Sequence, residues 1–384
     1  MPPLLQNMSK IKRNISTKIN LPPRPKVFVG MSGGVDSSVA AALLVQQGYE
    51  VTGVFIKTWH PEWLPCTWKE ERRDAMRVAA HLGIPFFTFD AEEVYRTEVA
   101  ESMIADYSAG RTPNPDVLCN KTVKFGAFLD FALSQGADFV ATGHYAICEK
   151  ETFSLVESTD KEKDQTYFLW TLTRKQLKHI LFPIGHYQKK QVRELAKKFG
   201  LPTFDKKDSQ GICFLGEVDM QKFLERYITH RPGNVLNSNG EVIGTHTGAL
   251  FYTIGTRRGF TITQKTDHDQ SYYVVAKNVV ENTLTVATED QKLDFGLKNI
   301  VLTNHVWNLL PIKNQVYSAR IRYRQKKQFC TLCLKQGGDK KAGRKWVVSF
   351  QEPQAALSFG QSLVVYDEKG RCLGGGILSE EARI

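Results

Sequence analysis

The sequence predicts an α/β protein: a parallel sheet with helices on both faces, then a small α+β or β module and a C-terminal β-barrel. Three observations carry this expectation. Short apolar runs rich in β-formers alternate with helical periodicity as far as about Gly211, which is how a parallel sheet reads. A Gly-rich turn joins the first such run to the first helical segment. Beyond Val235 the pattern changes to short strand-like runs split by turns, as in small barrels.

The elements follow in order. Residues 26–31 (KVFVGM) read as a buried strand, and residues 39–47 as a helix closed by Gly48. Residues 50–56 (EVTGVFI) form a second strand. Residues 69–82 place Ala75, Val78, Ala79 and Leu82 at helical spacing, with Gly83 as the stop. Residues 85–89 form a third strand, residues 92–107 and 123–133 helices, and residues 138–142 a fourth strand ending at Gly143-His144. Ligands on such sheets sit beyond the carboxyl ends of the strands, where the loops at Ser32, Lys57, Asp90 and Gly143 lie. Further on, residues 220–227 suggest a short helix. Residues 274–276, 284–287, 316–323, 329–334, 346–350 and 362–366 suggest strands. The expected division is a basic extension (1–24), an α/β domain (25–215), a central domain (216–285) and a barrel (286–384).

Composition narrows the function. Apolar residues at 42% and charged residues at 24% are globular values that exclude wholesale disorder and fibrous folds. No run approaches the ~18 apolar residues of a membrane helix. With 51 basic and 40 acidic residues the net charge is +11. That favours a polyanionic partner, with a solvated basic surface as the plain alternative. Seven cysteines, an odd and sparse set, argue for a reducing compartment. The first 35 residues hold no acid, with Lys10, Lys12, Arg13, Lys18, Arg24 and Lys26 among them. Without an apolar core this is not a secretory signal. A ragged extension is the simplest reading, and an RNA-touching arm or an organelle transit peptide are the others. The expected location is the cytoplasm, with an organelle as the alternative.

The stretch Gly30-Met31-Ser32-Gly33-Gly34-Val35-Asp36-Ser37-Ser38 follows a strand and opens a helix. Its glycines admit close backbone approach, and its serines add hydroxyls. The helix N-terminus adds free N–H groups and partial positive charge. Together they make an anion cradle, which is neither a Walker A loop nor a GxGxxG fingerprint. Two cysteines stand out further along. Cys119 closes Arg111-Thr112-Pro113-Asn114-Pro115-Asp116-Val117-Leu118-Cys119 near a helix start, with Lys121 and Lys124 beside it. Dipole and cations there favour a thiolate. Cys213 lies in Asp208-Ser209-Gln210-Gly211-Ile212-Cys213-Phe214, where the α/β pattern ends, and is expected on a mobile connector. Cys148 and Cys372 read as core residues, and Cys330 and Cys333 as opposite faces of one strand. Cys66 sits in a loop beside the second strand. Cys330 and Cys333 form a lone CxxC with no second pair, so zinc is not expected.

SGGVDS resembles the signature of the ATP-pyrophosphatase (PP-loop) superfamily, whose members adenylate a substrate oxygen. An ordered set of motifs accompanies it: GRTPNPDVLCN, ATGHYA, KDQTYFL, GICFLG, RPGNV, IGTHTG, YTIGTRRG and CLGGGIL, from about Val27 to Ile377. The whole set resembles the tRNA 2-thiouridylases, and it implies an adenine-nucleotide α-hydrolase-like catalytic domain. The resemblance implies that ATP, with Mg²⁺, activates the C2 oxygen of the wobble uridine. A Cys213 persulfide then supplies sulfur, attacking directly or releasing hydrosulfide to Cys119. Either route ends in a Cys119–Cys213 disulfide, so the Cys213 segment is expected to be open or disordered without tRNA. Cys119, Cys213 and Asp36 carry the chemistry. Gly30, Met31, Ser32, Gly33, Gly34, Val35, Asp36 and Ser37 take ATP, with backbone near Ile56 and Gly143 at the adenosine. Asn114, Pro115 and Asp116 meet the flipped base. His144, Lys163, Asp164, Gln165, Arg322, Tyr323 and Gln361 meet tRNA. By alternation alone, Arg320, Arg322 and Arg324 would share one strand face as an RNA stripe.

Two departures from the family pattern are Ile56 and Thr58, where Met and Asn are usual. No protein metal ligand is expected, and neither is a membrane. The implied partners are tRNA and a persulfide donor, either a cysteine desulfurase or a relay protein, with the chain itself a monomer. The competing readings are another PP-loop enzyme acting on a small-molecule acceptor, and an RNA-binding protein that keeps the scaffold.

Overall fold

Five strands build the first sheet, in the order Phe86–Asp90, Glu50–Lys57, Lys26–Gly30, Phe139–Ala141, Ile180–Leu181, and every pairing is parallel. The computed structural model describes residues 24–64, 68–208, 211, 213, 219–263, 270–336 and 344–380. The central strand β1 (Lys26–Gly30) hides Val27 and Val29 completely, because helices cover both faces of the sheet. On one face, α1 (Val35–Gln46), α2 (Trp68–Leu82) and the helix Lys189–Lys198 enclose Val39, Ala75, Val78, Val192 and Ala196. On the other, Tyr95, Val99, Phe128 and Leu129 pack from two long helical stretches, residues 92–108 and 115–134.

Several expectations shift. The stretch carrying Cys119 becomes helical at Pro115, eight residues earlier than the periodicity indicates. Asn114 caps it by accepting from the Val117 N–H at 3.3 Å, and proline suits the first helical position. The fifth strand is only two residues long and gives no alternation to read. The helix Lys189–Lys198 hides only Val192 and Ala196, too narrow a stripe to stand out in so basic a segment.

A second five-stranded sheet follows, in the order Phe260–Ile262, Val242–His246, Gly233–Leu236, Thr283–Ala287, Tyr273–Asn278. The C-terminal part closes as a barrel of Leu297–Trp307, Arg344–Gln354, Gln328–Gln336, Val316–Arg320, Ser362–Tyr366 and Cys372–Leu378. Bulges interrupt the pairing of Leu297–Trp307 on both sides, which hides its period from sequence reading. Cys330 is buried inside the barrel and Cys333 is partly exposed. Residues 1–23, Cys66 and most of the GICFLG motif lie outside the described residues, which retain Gly211 and Cys213 from that motif. Among the described residues no helix is long and apolar enough to cross a membrane.

Candidate active site

The phosphate-type loop leaves β1 and enters α1 at the carboxyl edge of the first sheet. Gly34 is the N-cap and no side chain caps the helix, so its first N–H groups remain available to an anion. Serines brace the turn instead. Ser37 Oγ accepts from the Ser32 N–H at 3.2 Å, and Ser38 Oγ donates to the Gly34 carbonyl at 2.7 Å. Gly33 has φ +72°, and a Cβ there would collide with the Glu71 carbonyl. A Cβ on Gly143 would stand 2.5 Å from the Ser37 nitrogen, so the turn after the fourth strand rests on the first turn of α1. Ile56 is buried at the carboxyl end of the second strand, beside Gly30.

Charge gathers around this loop. Asp36 accepts from Lys189 Nζ at 2.7 and 2.9 Å and from the Tyr145 hydroxyl at 3.0 Å. Lys189 also pairs with Asp208 at 2.8 Å, and Asp208 receives Lys163 at 3.0 Å and Arg193 at 2.6 Å. Burial alone would raise the Asp208 carboxyl. Hydrogen bonds from Lys189 and Lys163 outweigh it and bring the carboxyl down to about 2. Lys189, Arg193 and Asp208 have no place in the sequence-derived site, although Lys189 and Arg193 stand at i, i+4 on one helix face. That spacing was the available signal.

The two predicted cysteines meet. Cys119 is fully buried and both sulfurs are free thiols. Cys213 packs against the buried cluster that holds Cys119, and each sulfur shifts the ionisation of the other. Of the segment expected to be open, residues 209, 210, 212 and 214–218 lie outside the described residues, and Cys213 itself is docked. Its N–H donates to Asp116 Oδ1 at 3.0 Å and its carbonyl accepts from the Tyr95 hydroxyl at 2.8 Å. Both backbone groups are satisfied in the docked position. The Lys124 ammonium donates to Cys213 Sγ at 3.0 Å.

The expected Cys119 thiolate is corrected too. Burial and the neighbouring Cys213 sulfur push the Cys119 thiol up. The neighbouring Cys119 thiol, aided by Lys124 and opposed by burial, draws the Cys213 thiol down to about 7. Cys119 is the fifth residue of its helical stretch, past the first turn where dipole and free N–H groups act. Tyr95 gives no sequence signal, because its contact with Cys213 is wholly tertiary.

The remaining predicted residues divide. Lys163 joins the phosphate-side cluster, and Gln165 Oε1 accepts from the Tyr145 N–H at 2.9 Å. Asp164 does not face solvent. It is buried, accepting from the Ser158 N–H at 3.0 Å and Thr166 Oγ1 at 2.8 Å and pairing with Arg320 at 3.3 Å. The His144 ring is likewise buried, with Nδ1 2.7 Å from Thr142 Oγ1 and the ring against Phe125 and Phe182. Burial and the Lys124 charge hold it neutral. His144 is thus a satisfied core histidine here and not an exposed RNA contact.

The arginine stripe does not form, because the strand ends at Arg320. Arg320 is buried against Glu157 at 2.9 Å, Arg322 turns to the Ile254 and Ala356 carbonyls, and Arg324 adopts φ +63°. Tyr323 packs against Phe168 at a tilt, with ring centroids 4.5 Å apart. The Gln361 amide donates to the Thr112 and Pro113 carbonyls at 3.0 and 2.8 Å, tying the barrel to the loop ahead of Asn114. Among the described residues no group of three or more His, Cys, Asp or Glu is placed to hold a metal ion.

A serine-braced glycine loop feeding a helix N-terminus at the carboxyl edge of a parallel sheet defines a PP-loop protein of the HUP-domain class. Comparison with known proteins agrees. Three family descriptions match in succession: tRNA methyl transferase HUP domain (residues 25–217), tRNA methyl transferase PRC-barrel domain (221–288) and aminomethyltransferase beta-barrel domain (297–378). A tRNA-specific 2-thiouridylase MnmA from Francisella tularensis subsp. novicida is 43% identical over 362 residues, covering 92% of this chain and 99% of its own. Its counterpart from Streptococcus pyogenes serotype M3 is 44% identical, covering 92% and 94%. A solved U34-tRNA thiolase NcsA from Methanococcus maripaludis is 16% identical with a TM-score of 0.35, covering 53% of this chain and 63% of its own. The chain belongs to the tRNA-specific 2-thiouridylase family. The first family description mentions methyl transfer, whereas the relatives matched over most of the chain are 2-thiouridylases.

Proposed function

We propose that this protein catalyses ATP-dependent 2-thiolation of the wobble uridine in tRNAs of the Lys, Glu and Gln type. The observation that carries the reading is that Cys213 packs against the buried cluster holding Cys119, in a domain that also holds the phosphate-type loop. Uracil O2 is a poor leaving group. Its attack on the α-phosphorus of ATP expels pyrophosphate and leaves O2 bonded to AMP. N–H groups of the loop and of the α1 N-terminus hold the phosphates, and Lys163, Lys189 and Arg193 supply positive charge beside them. Asp36 is the carboxylate on the loop, and a magnesium ion carried by phosphates needs only one or two such ligands. The residues therefore fit a metal arriving with the nucleotide.

Sulfur comes from a persulfide on Cys213. If its outer sulfur attacks C2, the C2–O bond breaks and AMP leaves. Cys119 then attacks the inner sulfur, the S–S bond breaks, and the product keeps the outer sulfur as its thiocarbonyl. In the other route Cys119 first releases hydrosulfide, which attacks C2. Both routes end in a Cys119–Cys213 disulfide. Asn114, Pro115 and Asp116 line the base position, and the partly exposed Lys163, Gln165, Arg322 and Tyr323 are the RNA contacts we retain. A cysteine desulfurase or relay protein charges Cys213, and the protein acts as a cytoplasmic monomer.

The test incubates purified protein with unmodified tRNA, Mg-ATP and a sulfide source, then analyses nucleosides. Wild type is expected to form 2-thiouridine only with ATP, and Cys119→Ser to lose at least ~10³-fold in rate. AMP and pyrophosphate released onto a small acceptor, with no thiolated nucleoside, would overturn the reading.

A further inference from the structure

One buried cation has no part in the chemistry above. Lys124 lies in the π-helical stretch Cys119–Ala127 and is 9% exposed, and its ammonium donates to Cys213 Sγ at 3.0 Å. A buried ammonium is costly unless nearby anions and hydrogen bonds compensate it. The titratable groups around it are Asp116, Cys119, Cys213, Tyr95 and His144. Burial pushes the Tyr95 phenol up and the His144 imidazole down, so neither carries charge at neutral pH. Burial also raises the Asp116 carboxyl, against the Cys213 N–H bond and Lys124. The thiol pair is the other source of negative charge beside the ammonium, and of the two sulfurs it is Cys213 Sγ that receives its hydrogen bond.

We propose that Lys124 is a catalytic residue that holds the Cys213 sulfur as an anion, so that Cys213 accepts sulfur while Cys119 keeps its proton, and that activates Cys119 afterwards. The accepting step balances without an added oxidant. The Cys213 thiolate attacks the outer sulfur of the donor's persulfide and a new S–S bond forms. The donor's own S–S bond breaks, and the donor leaves as a thiolate. During this step Cys119 is protonated and does not compete. Once the Cys213 inner sulfur sits in an S–S bond and the outer sulfur has gone to the base, that charge has left the pocket. The Lys124 ammonium then acts on Cys119 alone and favours the thiolate needed to break the S–S bond. One cation thereby serves two thiols in sequence.

This rests on the proposed function only for the donor's chemistry, and the test reads Lys124 whether or not tRNA is thiolated. Full-length protein is alkylated with iodoacetamide across pH, and the Cys213 peptide is quantified by mass spectrometry, with melting curves run alongside. Wild type is expected to show an inflection at about 7. Lys124→Met moves it to the ordinary thiol range of ~8.5 or above, and Lys124→Arg keeps it near wild type. An unchanged inflection in folded Lys124→Met overturns the proposal. If Lys124→Met does not fold, thiolate absorbance of wild type and Cys213→Ser is compared across pH. A near-neutral step lost in Cys213→Ser supports the proposal, and steps confined to the ordinary range overturn it. Normal titration without any 2-thiouridine would count against the proposed function and leave Lys124's role standing.

Discussion

Two clusters of opposite charges differ in how much water they see. Around the phosphate-type loop, Lys189, Asp36, Asp208 and Lys163 keep 14, 31, 25 and 33% of their side-chain surface exposed. Where the barrel meets the catalytic domain, Arg320, Glu157 and Asp164 keep 9, 4 and 0%. Partly solvated pairs exchange partners at little cost, so a phosphate can displace a carboxylate from Lys189. Buried pairs cannot, because any unpaired member is left without solvent. Burial even raises the Asp164 carboxyl against the pull of Ser158, Thr166 and Arg320. The first cluster is suited to a ligand and the second to architecture, although both look like scattered Lys, Arg, Asp and Glu in the sequence.

The sharpest way to break this comparison is Arg320→Met. It leaves buried Asp164 without its cation, while Glu157 keeps Lys327 and Lys161, and is expected to cost ~3 kcal/mol in denaturant unfolding. A loss below ~1 kcal/mol would show that the cluster behaves as a surface network. Lys189→Met reverses the profile. Stability should move by less than ~1 kcal/mol, while the KM for ATP rises by about tenfold, equal to ~1.4 kcal/mol. If both kinetic constants for ATP match wild type, the phosphate role of Lys189 is wrong.

Gln361→Ala removes two donors to the Thr112 and Pro113 carbonyls and should cost ~1–2 kcal/mol. It should lower kcat for thiolation with KM for ATP unchanged, since it acts on the base side. The smallest effect is acid tolerance. The Asp208 carboxyl lies at about 2 when folded, below its ordinary 3.8. Its contribution is therefore full above that ordinary value and lost as pH falls toward 2. In urea titrations Asp208→Asn should approach wild type only in that acid window, and a gap that closes already near neutral pH would contradict the assignment.

Much of the site was legible because it is local. The strand–SGGVDS–helix unit is contiguous, and so is the loop that leads through Asn114 into the Cys119 helix. The reading failed where a residue's surroundings come from elsewhere. Period two put three arginines on one face, but the strand stops at Arg320 and two acids from the catalytic domain capture that side chain. Asp164 sits inside a motif that the resemblance assigns to RNA, yet Thr166 and Arg320 enclose it. Lys189 and Arg193 entered no sequence reading, because the acids that give them a role, Asp36 and Asp208, meet them only in the fold.

The sequence by itself determined the layered α/β start, the anion loop, the two cysteines that matter and the β-rich remainder, since periodicity and turn chemistry act between near neighbours. Only the tertiary structure decided which thiol meets the buried cation. That choice depends on how deeply Cys119 is buried, on the docking of Cys213 by Tyr95 and Asp116, and on Lys124 3.0 Å from its sulfur. Electrostatic energies are set by distance and solvent exclusion, and neither is written in the order of residues along a chain.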